Sequence, residues 1–103
     1  MKYQLVLQFP TRWPWTFHSL VRLEDQLIEL LGDTALVDGH DCGSGEMNIF
    51  IHTDDPTLTF QAITPHLTKK RWLPSVTAAY RLLSGDDYTV VWPKNSDKPF
   101  RVT

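Results

Sequence analysis

The stretch Val37–Ile51, VDGHDCGSGEMNIFI, decides the fold: two runs of strand-like composition flank a glycine-rich reversal. Its glycines suit the positive φ that a tight turn needs. Thr34–Asp41 and Glu46–Thr53 therefore read as paired antiparallel strands. With the turn centred on Gly43, His40 opposes Glu46, Asp38 opposes Asn48 and Leu36 opposes Phe50. The other face pairs Gly39 with Met47, Val37 with Ile49 and Ala35 with Ile51. That face is wholly apolar, and a slip of one residue would bury the acids in its place. Asp38, His40, Glu46, Asn48 and His52 are thus expected on an open sheet face.

Working outward, Tyr3, Leu5, Leu7 and Phe9 alternate with Lys2, Gln4, Val6 and Gln8, the pattern of a half-buried strand ended by Pro10. From Thr16 to Leu31 the period lengthens, with Phe17, Leu20, Leu23, Leu27, Ile28 and Leu31 on one helical face and Gly32 placed to cap it. Asp55 before Pro56 signals a second helix start, with Leu58, Phe60, Ile63 and Leu67 as its buried side. Pro65 removes a helical hydrogen bond and costs about 3 kcal/mol, so a short, kinked or re-entered helix is expected. Val76–Leu82 alternates again, and Tyr88–Trp92 forms a last strand ended by Pro93. Trp13 and Trp15 are expected to plug the first helix against the sheet edge. The basic run Lys69–Trp72 reads as a solvated face.

This order predicts an α+β protein: a ferredoxin-like βαββαβ two-layer sandwich with an extra C-terminal strand. Residues 1–93 form its single domain and 94–103 a polar, loosely held tail. Both helices cover one sheet face, and the other stays open unless the tail or a partner covers it.

Composition narrows the function. The net charge of −2 over 103 residues gives no general attraction to nucleic acid or anionic membrane. The lone Cys42 fits a reducing compartment. The N-terminal apolar run is interrupted by Gln4 and Gln8, unlike a secretory signal, and no run approaches the roughly 20 residues of a membrane span. A cytoplasmic protein is expected.

Several chemistries compete for the hairpin. Asp38, His40 and Glu46 offer one nitrogen and two carboxylates, a set that suits zinc or another divalent ion at the centre of a small metal-dependent or regulatory enzyme, yet the spacing matches no strong metal signature. Cys42 with His40 as base lacks an oxyanion-hole helix start behind it. Gly39, Gly43 and Gly45 lead into a strand, whereas phosphate loops lead into a helix. RNA recognition needs aromatics on the central strands, and only Phe50 is placed to stack. Protein binding fits best, with Leu36 and Phe50 as anchors and Asp38, His40, Glu46 and Asn48 as rim. An enzyme is the less expected class, no cofactor is expected, and a homodimer through the open faces is the other way to cover them.

The segment VDGHDCGSGEMNIFIHTDDP, with LEDQLIELLG before it, resembles a family of small uncharacterised bacterial proteins sharing a DGHDxGSGExNIFI-like pattern. The resemblance spans about half of the chain and implies no functional residue. The build also resembles immunity proteins that neutralise the toxins of competing bacteria. What that analogy implies is stoichiometric binding of a protein partner.

Overall fold

The computed structural model describes residues 1–11, 16–43, 45–94 and 99–102. The readings of Trp13, Trp15 and most of the tail lie outside these residues. Strand β1 (Tyr3–Pro10) leads to helix α1 (Phe17–Leu31), the hairpin β2 (Leu36–Gly43) and β3 (Glu46–Thr53), helix α2 (Pro56–Lys69), and strands β4 (Thr77–Leu82) and β5 (Thr89–Trp92). The five strands form one sheet in the order β2-β3-β1-β4-β5, with every neighbouring pair antiparallel. The chain is an α+β protein with an open sheet and two helices packed on one side.

Helix α1 begins where the Thr16 hydroxyl accepts from the Ser19 amide at 3.2 Å, and it ends at Gly32, whose φ of +53° suits glycine. Leu20, Leu23, Leu27 and Leu31 form its buried stripe. Phe17 and Ile28, expected on that stripe, are largely exposed. Ile28 sits about 100° round the helix from Leu27, and Phe17 occupies the first turn, where its ring meets only the edge of His40 at 5.3 Å among the described residues. Leu58 of α2 is likewise exposed, being two residues and about half a turn from Phe60.

Pro65 does not break α2, which runs unbroken through it. Phe60, Ile63 and Leu67 are buried on both sides of the proline. Burying three such side chains is worth about 1.5–3 kcal/mol each, more than the proline's cost of about 3 kcal/mol. Two threonine hydroxyls also bond back into the helix, Thr64 to the Phe60 carbonyl at 2.8 Å and Thr68 to the Thr64 carbonyl at 2.9 Å. At the far end the Arg71 amide donates to the Thr68 carbonyl and the Trp72 amide to the Leu67 carbonyl, a Schellman closure. Arg71 therefore takes φ +62°, where glycine is the unstrained residue. Arg71→Gly is expected to stabilise the fold by up to about 1 kcal/mol, a rise of about 4–8 °C in Tm measured by thermal unfolding.

The helices press on Leu5, Leu7, Phe9, Met47, Ile49, Ile51 and Ala78, which make one core with the α1 stripe and the buried side of α2. Central β1 is buried on its other face too: Val6 and its neighbour Ala79 are 0% exposed. The face away from the helices is not bare sheet. The Gln8 side-chain amide donates to the Arg101 carbonyl at 2.8 Å, and Phe100 lies 4.9 Å from the Tyr88 ring. Within the described part of the C-terminal stretch, Arg101 is thus joined to the sheet and Phe100 to Tyr88.

Candidate partner-binding surface

The hairpin folds, but in a different register from the sequence expectation. Its reversal is two residues long, with Gly43 opposite Glu46, and Gly45 takes φ +80°. Asp41 therefore faces Asn48, His40 faces Ile49 and Gly39 faces Phe50. A bulge at Asp38, beside Gly39 at φ +148°, then inserts one residue, so that Val37 opposes Ile51 and Leu36 opposes His52. Met47, Ile49 and Ile51 still face the core, and Leu36 still faces away from it. Between turn and bulge, however, the faces of β2 are exchanged.

His40 is the main correction. It lies on the helix side, where its Nδ1 meets the Glu24 carboxylate at 3.0 Å and its ring meets Phe17. It joins the edge strand to α1 and is not part of the open face. Asn48 does point away from the helices, but it is 1% exposed and its Oδ1 accepts from the Gln8 amide at 3.0 Å. At that exposure its side chain is not available to a partner. Asp38 bonds to its own hairpin, with His52 Nε2 3.5 Å from its Oδ2. Glu46 and Phe50 are half-buried on the outward face, and Leu36 is 53% exposed there.

The proposed ligand set Asp38, His40 and Glu46 is therefore split across the two faces. Among the described residues no group of three or more His, Cys, Asp or Glu is placed to hold a metal ion. Two open grooves of about 460 Å³ lie elsewhere, one between the end of α1 and the start of α2, the other between α2 and β5. Neither is lined by a histidine or a cysteine.

Cys42 is exposed at the end of β2, yet its thiol pKa is raised, first by partial burial and then by the Asp41 carboxylate. Both disfavour the thiolate, the reactive form. Removing the negative charge lowers the pKa and enlarges the thiolate fraction. Asp41→Asn is therefore expected to speed alkylation of Cys42 by iodoacetamide at neutral pH, measured as the rate of mass addition.

Two features of this surface escaped the sequence reading. Asp41 belongs to the outward rim, opposite Asn48, and was not among the residues expected there. The second is larger: between Arg22 and Lys69 the chain has nine of its twelve acidic residues and no lysine or arginine. That interval builds most of α1, the whole β2–β3 hairpin and most of α2, so no lysine or arginine of the hairpin itself offsets Asp38, Asp41 and Glu46 on its outward face. A scan of charge along the chain would have found it.

No protein-family model matches this chain, and no curated protein or solved structure matches it either. Among the described residues no helix is long and apolar enough to cross a membrane.

Proposed function

We propose that this is a cytoplasmic binding module that recognises a basic protein partner through the outward face of β2–β3, with stoichiometric neutralisation of a toxin as its most specific form. The observation that carries the reading is Leu36, a large apolar side chain 53% exposed within the long interval that has no lysine or arginine. An exposed apolar anchor with a charged rim is the composition of a recognition patch. Leu36 and Phe50 supply the anchor; Asp38, Asp41 and Glu46 supply the rim. Complementary charge speeds association and fixes register, and its effect falls with added salt. The bulge and acids of edge strand β2 discourage pairing by strand addition, which favours recognition by the face.

The strand order β2-β3-β1-β4, with both helices on one side, supports reading the architecture as ferredoxin-like with β5 added at the edge.

The test is capture from a lysate of the source organism, with tagged wild type beside an Asp38→Lys, Asp41→Lys, Glu46→Lys chain of equal thermal stability. A partner held by wild type and lost from the variant is expected. A partner held equally by both would overturn the proposed surface.

A further inference from the structure

We infer that the sheet face over β1 and β4 is a peptide-binding groove, occupied here by the chain's own C-terminal segment and open to an extended segment of like chemistry from another protein when that segment leaves.

Pro99–Val102 alternates as a bound strand does: Phe100 and Val102 are half-buried, whereas Pro99 and Arg101 are exposed. Yet among the described residues no main-chain hydrogen bond joins it to the sheet. It is held by side chains, through the Gln8 amide on the Arg101 carbonyl and the Tyr88 ring against Phe100. A segment bound through one carbonyl and one ring is a ligand in form, and it can be exchanged without unpairing a strand.

The floor is also built for an occupant. Val6 and Ala79 are fully buried in it, and the Gln4, Gln8 and Asn48 side chains that share this face are buried too. The Gln8 Nε2 is shared between Asn48 Oδ1 and the Arg101 carbonyl. Asn48 Nδ2 has no partner among the described residues although the residue is 1% exposed. Buried donors are normally satisfied, and an orphan is destabilising. A bound segment reaching further along the groove offers a second carbonyl to that donor. The ligand class is an extended peptide with an aromatic residue for the Tyr88 contact, a carbonyl one residue later for Gln8, and a small apolar residue after it.

The experiment uses the full chain, as wild type and Phe100→Ala, titrated against a fluorescein-labelled Lys-Pro-Phe-Arg-Val-Thr peptide by fluorescence polarisation. A tethered ligand competes at an effective concentration of the order of millimolar, so wild type should bind the peptide weakly. Phe100→Ala loosens the resident segment and should bind it at least about tenfold more tightly. The same peptide with alanine in place of phenylalanine keeps its charge and should not bind. Equal affinity of the two chains, equal affinity for the two peptides, absence of binding to Phe100→Ala, or a Phe100→Ala chain that no longer folds would each overturn the inference. The probe uses none of Leu36, Asp38, Asp41, Glu46 or Phe50, so its failure would leave the proposed β2–β3 surface standing.

Discussion

A Val6→Asp chain is expected to be largely unfolded at room temperature. Val6 is on the sheet face away from the helices, but it is 0% exposed and pairs with the equally buried Ala79 and with Phe50. An aspartate there must either keep its charge away from water or take up a proton, and no arginine or lysine is its cross-strand neighbour. The loss also removes the burial of a valine, worth about 1.5–3 kcal/mol. Together these exceed about 4 kcal/mol, against a total stability of about 5–15 kcal/mol for a domain of this kind. Leu36→Asp on the same side of the sheet should cost less than about 1 kcal/mol, since Leu36 already faces water. Circular dichroism with urea unfolding separates the two. A Val6→Asp chain within about 1 kcal/mol of wild type would mean that this face is wet and the tail does not cover it.

Leu27→Ala is expected to cost about 2–5 kcal/mol, and Ile28→Ala less than about 0.5 kcal/mol. The two residues are adjacent and of equal size, so the main difference between them is where the helix aims them. Leu27 is 0% exposed at the middle of the α1 stripe, and its truncation leaves a cavity among Leu-rich neighbours that the sheet cannot close. Ile28 is 53% exposed, and alanine has the better helix propensity, which offsets the little burial lost. Urea midpoints at constant slope give both values. Similar losses at the two positions would mean that α1 is rotated from the orientation described here.

That pair also shows where the sequence was readable. Period-two and period-3.6 patterns located the five strands and two helices, because burial of one face dictates each repeat. They were less able to separate residues at the margin of a face: Phe17, Ile28 and Leu58 are apolar and near the right spacing, yet exposed. The register of the hairpin failed for a more specific reason. Placing the turn on Gly43 ignored the Ser-Gly dipeptide that follows, a common two-residue reversal. Gly39, an isolated glycine inside a strand, was itself the signal of a bulge. Together they moved His40 under α1 and brought Asp41 outward. The tie between the tail and the sheet was not legible, because the two residues that hold it, Gln8 and Tyr88, lie eighty positions apart in the chain.

The central claim is that the acidic outward face of β2–β3 meets the partner. Carbodiimide-driven labelling of carboxylates, read by mass spectrometry on free and partner-bound protein, tests it most directly. Asp38, Asp41 and Glu46 should lose labelling in the complex, while Asp86 and Asp87, beyond β4 at the opposite side of the sheet, keep theirs. Unchanged labelling of the three hairpin carboxylates, with protection elsewhere, would contradict the account.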